Sequence, residues 1–355
     1  MHTDFLIIGQ GISGTFLSWF LTQKGISNIV VDEYRTDIPS RVAAGLINPV
    51  TGRRVVKSWK IDELMPFAEK AYTALGKHLG VEGIRKKSII DFFPNEKVLN
   101  NFREKIAEGI DYIHMHGTED YRSVFNYDFG YGVITPAYIA NLREILPLFR
   151  RTLLEEGRLL EDVFDHEQLE VTPEHIRYKD ITARYIIYCE GAHGYFNPYF
   201  GKLPFALNKG QALIIKVPGL PPDNIYKKTH SIIHLYDDYF WIGGGYEWEF
   251  KDSKPTDAFR QQMENFLKGW LKLPFEIIEH KAAVRPATVE RRPFAGMHPV
   301  CKNIGILNGM GTKGCSLAPY FSLQLIEHIL EGKEIEKEAS VNRFDHLLAR
   351  TISEE

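Results

Sequence analysis

Hydrophobic and polar positions change their rhythm along this chain and divide it into three stretches. Residues 3–8 form a short apolar run that ends at Gly9 and reads as a buried strand. Over 12–24, Ile12, Phe16, Trp19 and Phe20 fall at helical spacing, and Gly25 follows as a stop. The β-branched run Asn28-Ile29-Val30-Val31-Asp32 predicts a second strand. Strand, helix and strand within about 30 residues make a βαβ unit, whose two strands run parallel. A helix is expected over 61–79, with Leu64, Phe67, Ala68, Ala71 and Leu75 on one face; Pro66 predicts a start or a kink inside it.

The middle stretch is less regular. Residues 88–93 read as a strand, and 95–130 as polar and irregular with a helix around 100–108. Thr135-Pro136 has the form of an N-cap followed by the first helical residue, which predicts a helix through about 148. A small hairpin (169–171 with 175–178) precedes a strand over 185–188. From 204 to 250 the pattern turns to strands at 211–217, 230–235 and 239–242, with Asp237-Asp238 at the last turn. A helix over 259–270 and an extended segment over 282–286 come next. The chain then repeats its opening theme: a strand over 304–308, glycines, and a helix that begins near Ser316 and runs through 319–330. The expected architecture is α/β with two interleaved bodies. A Rossmann-type domain takes 1–85, 135–203 and 282–355, and an antiparallel-sheet substrate domain takes 86–134 and 204–281.

Composition narrows the function classes. A chain of 355 residues suits two domains, and 44% hydrophobic with 25% charged residues is the balance of a soluble globular protein. A net charge of −3 gives no overall pull toward nucleic acid or anionic lipid. The basic clusters Arg53-Arg54 with Lys57 and Lys60, and Arg85-Lys86-Lys87, read as solvated surface. Cys189, Cys301 and Cys315 are far apart, so neither a disulfide framework nor a zinc site is expected, and a reducing compartment fits. With no secretory pattern and no run near the ~18 apolar residues of a membrane span, a cytoplasmic protein is expected. Oligomeric state is left open.

The chemistry starts at Gly9-Gln10-Gly11-Ile12-Ser13-Gly14, a G-x-G-x-x-G placed between a strand and a helix. Gly9 permits the tight turn, Gly11 lets backbone approach a diphosphate, and Gly14 lets helix and strand pack closely. The N–H groups around Ile12 and Ser13 open the helix toward an anion. Asp32, with Glu33 beside it, ends the second strand about 20 positions on, where an acid accepts ribose hydroxyls. A dinucleotide site follows, for either FAD or NAD.

Other segments separate the two by resemblance. Ala43-Ala44-Gly45-Leu46-Ile47-Asn48-Pro49 resembles the small-residue loop of the D-amino-acid oxidase and glycine oxidase family of flavoproteins. Tyr185-Ile186-Ile187-Tyr188-Cys189-Glu190-Gly191-Ala192 resembles the family's strand-to-glycine return to the FAD domain. Lys209-Gly210-Gln211 resembles its R-G-Q step, and Val284-Arg285-Pro286 its G-x-R-P motif, with Ala283 replacing the glycine. Asn308-Gly309-Met310-Gly311-Thr312-Lys313-Gly314-Cys315-Ser316-Leu317-Ala318-Pro319 is similar to the glycine loop and helix that close over the isoalloxazine ring. Its G-T-K-G form resembles most the oxidase domain of bacterial enzymes that modify the tRNA wobble uridine. The matches span residues 5 to about 330, and 86–134 carries no motif of its own.

The resemblance implies non-covalent FAD in a glutathione-reductase-like FAD fold, held by Gly9, Gly11, Ile12, Ser13, Gly14, Asp32, Glu33, Ala44, Gly45, Glu190, Gly191, Gly309, Gly311, Thr312, Lys313 and Gly314. It implies that Arg285 clamps a substrate carboxylate; the alternative is an ion pair with an acid such as Glu290. Backbone N–H groups at Gly309, Gly311 and Gly314 are expected to meet charge that develops on the reduced ring. Lys313 adds a full charge there or points to solvent. His234 and Tyr236 alternate onto one strand face, facing the substrate cavity or simply packing. Cys315 reads as a buried free thiol. The implied activity is oxidation of the C–N bond of a small amine or amino acid. The alternatives are oxidation of a modified tRNA uridine side chain, which the net charge disfavours, and a non-catalytic FAD-binding subunit.

Overall fold

Alternation along the strand His2–Ile8 sets the layering of the first body. Phe5 and Ile7 point into one core, and Leu6 and Ile8 into another on the opposite face. The computed structural model describes residues 1–52, 54–115 and 119–350. Arg53 of the first basic cluster, and 116–118 of the polar middle, lie outside them.

The first strand is the centre of a parallel sheet. Asn28–Val31 pairs on one side, followed by Leu159–Leu160; Ile181–Tyr188 pairs on the other, and Ile304–Asn308 runs parallel beside that. The hairpin of Leu169–Val171 and Ile176–Tyr178 pairs antiparallel with the start of Ile181–Tyr188. Helices Ile12–Gln23, Ile61–Leu79, Leu142–Glu155 and Gly314–Glu331 cover one face, with Phe16, Leu64, Tyr72, Ile145, Phe149, Leu317 and Phe321 in the shared core. Pro66 and Pro319 both lie inside continuous helices.

The second sheet is mainly antiparallel. Its order is Glu276–Arg285, Asn208–Lys216, Tyr239–Gly243, Ser231–Tyr236, Ile225–Lys227, Ile84–Phe92, Tyr131–Ala140 and Leu46–Ile47. Helix Asp257–Trp270, capped by the Thr256 hydroxyl, buries Met263, Leu267 and Trp270 against Phe92, Phe125, Leu213 and Phe240.

Three expectations need correction here. The Thr135-Pro136 step does not start a helix. It lies, as a cis peptide, within the strand Tyr131–Ala140, which pairs along its length with Ile84–Phe92, and the helix begins only at Leu142. The helix of the polar middle spans Glu96–Ala107, capped by the Asn95 side chain, so it starts earlier than expected. The domain boundaries at 85/86, 134/135 and 281/282 each cut a strand of the second sheet, which also takes Leu46–Ile47. Pairing between distant strands sets these borders, and no local break marks them.

Candidate active site

One cavity of about 790 Å³ runs between the two sheets. Its first half is built where the parallel strands end: Gly9 to Ser13, Asp32-Glu33, Asp162 to Phe164, Cys189 to His193, and Met310 to Ser316 all leave carboxyl ends. That is where open parallel sheets present ligand sites. The second half is walled by Thr229, Ser231, Ile233, Trp241, Tyr246 and Arg285.

The opening turn is as tight as its glycines allow. Gly9 has φ +101°, and a Cβ on it would stand 2.6 Å from the Cys189 carbonyl oxygen. A Cβ on Gly14 would stand 1.9 Å from the carbonyl oxygen of Gly9. Gly14 therefore works from behind the turn and does not line the cavity, whereas Gly9, Gly11, Ile12 and Ser13 do. The Ser40 hydroxyl accepts the N–H of Ile12 at 3.1 Å and adds a side chain to this N-terminus that the sequence did not flag.

Asp32 is more firmly held than expected. One oxygen accepts the N–H of Gln10 at 2.7 Å, and the other pairs with Arg150 at 2.6 Å, side chains only 16% and 6% exposed. Burial pushes its carboxyl above the ordinary value, against the lowering pull of the Gln10 N–H and Arg150. Each carboxylate oxygen has a second lone pair, so acceptor capacity toward the cavity remains. Arg150→Ala strands a buried carboxylate and is expected to destabilise the apoprotein by about 3 kcal/mol. A urea titration reads this, and a loss below about 0.5 kcal/mol would show that Asp32 does not need the pair.

Ala44, Gly45, Glu33, Glu190 and Gly191 all line the cavity. Glu190 is positioned by the Asn197 amide at 2.8 Å. In the C-terminal loop, Gly311, Thr312, Lys313 and Gly314 line it, but Gly309 does not. The Gly309 N–H is taken by the Asn308 side chain at 2.8 Å, and that of Gly311 by the Pro286 carbonyl at 3.1 Å. Of the three glycine donors expected there, only Gly314 remains, at the first position of a helix that starts earlier than its proline suggested. Lys313 immediately precedes it, half-buried, and no carboxylate pairs with it among the described residues. Burial, and then Arg292 and Arg291, pull its ammonium below the ordinary value. Burial pushes the Cys315 thiol up to about 12, so at neutral pH it is un-ionised.

Arg285 ends the strand Glu276–Arg285, opposite Asn208 on its antiparallel neighbour Asn208–Lys216. Its Nη1 donates to Asn208 Oδ1 at 3.0 Å and to the Gly245 carbonyl at 2.8 Å, both neutral acceptors. Gly210 makes the space: a Cβ there would stand 2.0 Å from Arg285 Nη2. Glu290 pairs with Arg343 at 2.9 Å, so the alternative partner is engaged elsewhere. Burial lowers the guanidinium's pKa, with the Tyr246 ring opposing.

His234 and Tyr236 stand apart from all this. Ser231 and Ile233 present the cavity face of their strand, and His234 turns away to bond the Asp237 carbonyl at 2.9 Å. Tyr236 stacks on Tyr239 beneath Arg143. Both border a separate hollow of about 340 Å³ with Arg85 and Arg143.

The sequence model of one family matches residues 4–327, described as FAD dependent oxidoreductase. The chain belongs to that family. Solved structures show the same fold at low identity. Iminodiacetate oxidase from Chelativorans sp. BNC1 is 18% identical with a TM-score of 0.77, covering 96% of this chain and 98% of its own. Glycine oxidase from Geobacillus kaustophilus is 16% identical with a TM-score of 0.77, at 94% and 96% coverage. L-proline dehydrogenase from P. horikoshii is 15% identical with a TM-score of 0.75, at 97% and 98% coverage.

This flavoprotein's cavity suits FAD on its own evidence. The turn at Gly9 and Gly14 has no room for side chains, the Gly11 backbone is open on the cavity side, and an acid ends the second strand. No helix among the described residues is long and apolar enough to cross a membrane.

Proposed function

We propose that the protein oxidises the C–N bond of a small amine that carries a carboxylate. The observation that carries this reading is Arg285: a half-buried guanidinium on the cavity wall whose hydrogen-bond partners are neutral. A cation kept there without a counter-charge is matched by an anionic ligand. The three relatives named above take their names from iminodiacetate, glycine and L-proline, all carboxylated amines.

In this reading Gly9, Gly11, Ile12, Ser13 and Ser40 hold the diphosphate, and Asp32 with Glu33 holds the ribose. Ala44, Gly45, Glu190 and Gly191 wall the dinucleotide, with Gly14 and Gly309 shaping the turns behind it. Thr312, Lys313 and Gly314 face the ring. When bound, FAD supplies the hydride acceptor for the carbon next to nitrogen. Arg285 fixes that carbon by its carboxylate, and positioning of this kind is most of what the protein must add. Lys313 and the N-terminus of Gly314–Glu331 would offer positive potential to the ring of a bound FAD. The imine product then takes up water and separates into a carbonyl compound and an amine.

A panel of amines and amino acids mixed anaerobically with the holoprotein tests this. At least one carboxylated amine is expected to bleach the flavin band. If dithionite bleaches it and no amine does, the protein is a flavin binder without this activity.

A further inference from the structure

The segment that follows Gly243 carries two large aromatic side chains out of the fold. Tyr246 and Trp248 are 59% and 57% exposed, yet their rings are parallel within 9° at 6.0 Å between centroids. The residue between them explains the order. Glu247 exchanges both backbone hydrogen bonds with Lys209, at 2.9 and 3.0 Å. Its carboxylate is gripped by Lys209 Nζ at 3.0 Å and Gln211 Nε2 at 2.8 Å, and Lys209 itself is buried. Side chains alternate on such an extended, paired segment, so pinning Glu247 inward holds residues 246 and 248 outward on one side.

The same segment is registered to the carboxylate clamp. Gly244 and Gly245, at φ +114° and +135°, make the turn, and Gly245 offers its carbonyl to Arg285. The Arg285 guanidinium lies over the Tyr246 ring at 5.4 Å, and Tyr246 lines the cavity while Trp248 stands outside it. Cation, inner ring and outer ring therefore form a ladder that leads out of the cavity.

We infer that Tyr246 and Trp248 are a preformed stacking platform for a planar aromatic group on the substrate. This rests on the reading of Arg285 as the carboxylate clamp, and it narrows the substrate class to a carboxylated amine with an aromatic substituent. The substituent projects through the mouth while the carboxylate stays on Arg285. Two fixed parallel rings suit a flat partner, because stacking needs orientation that a mobile side chain would lose on binding. Glu249, Lys251 and Asp252 nearby are exposed and mixed in sign, which matches a small neutral ring and not a phosphate backbone.

The holoprotein can be titrated with phenoxyacetate and methoxyacetate, which carry an ether oxygen in place of the amine and cannot be oxidised at nitrogen. Perturbation of the flavin spectrum reports binding. Phenoxyacetate is expected to bind about tenfold more tightly, the size of a stacked ring. W248A should bring the ratio of the two affinities close to one, and W248F should preserve it. A wild-type ratio near one, or a ratio that survives W248A, overturns the platform. If the ratio is present but no amine bleaches the flavin, the oxidase reading fails and the platform stands.

Discussion

Exchange of Arg285 for methionine is expected to raise the KM for a carboxylated amine by about 100-fold or more, with FAD still bound. Removing one member of a desolvated, hydrogen-bonded charge pair costs about 2–5 kcal/mol, and each 1.4 kcal/mol is tenfold. The geometry puts this position in that class. The guanidinium is half-buried, its neighbours are the neutral oxygens of Asn208 and Gly245, and no protein carboxylate competes for it among the described residues. Methionine replaces the unbranched stem as far as Nε and removes the charged guanidinium end that lies over Gly210. Arg285 lies on the second sheet, away from the Gly9 turn, and the ratio of flavin to protein absorbance in the purified variant should match wild type. If kcat falls along with the rise in KM, the clamp also sets the angle of the reacting carbon. An unchanged KM places substrate elsewhere in the cavity.

The residues that proved easiest to read were those whose job is done by their immediate neighbours. Gly9, Gly11, Gly14 and Asp32 announce themselves because a tight turn, a strand before it and a helix after it all lie within one short segment. The site's other supports are remote in sequence. Arg150 reaches Asp32 across 118 positions, and on its helix it looks like one more arginine. Ser40 arrives at the first helix from a short helix, Pro39–Val42, 28 positions later. Thr135-Pro136 shows the opposite failure: a locally convincing helix start was overruled because Ile84–Phe92 offered its neighbours a full antiparallel partner. For His234 and Tyr236 simple alternation fails: a bulge lies between them, so His234 stands opposite Phe240 on the core side while Tyr236 stands opposite Tyr239 on the other face. Arg285 was legible through resemblance. The reason it fits, a glycine at 210 on the adjacent strand, is a fact of register.

The same substitution, glycine to alanine inside a helix, should act with opposite signs at two positions in this protein. In general the change favours the helix by about 0.5–1 kcal/mol, because alanine loses less backbone freedom on folding. Gly269 meets that condition: it lies within Asp257–Trp270, is exposed, and a Cβ added there would meet nothing within 4 Å. Gly269→Ala should therefore raise the denaturation midpoint. Gly14 also lies in a helix, but its Cβ would stand 1.9 Å from the Gly9 carbonyl oxygen, which is backbone and has no rotamer to retreat into. Relief requires the helix to lift from the turn, and Gly9 is itself fixed against the Cys189 carbonyl. The N–H groups of the first helical turn would then lose their aim at the diphosphate. Gly14→Ala is expected to weaken FAD binding by at least about 100-fold, so that the protein purifies colourless or loses its fold. Flavin absorbance with a far-ultraviolet dichroism spectrum separates those two outcomes. A yellow Gly14→Ala protein of wild-type stability would mean that the turn does not hold the dinucleotide.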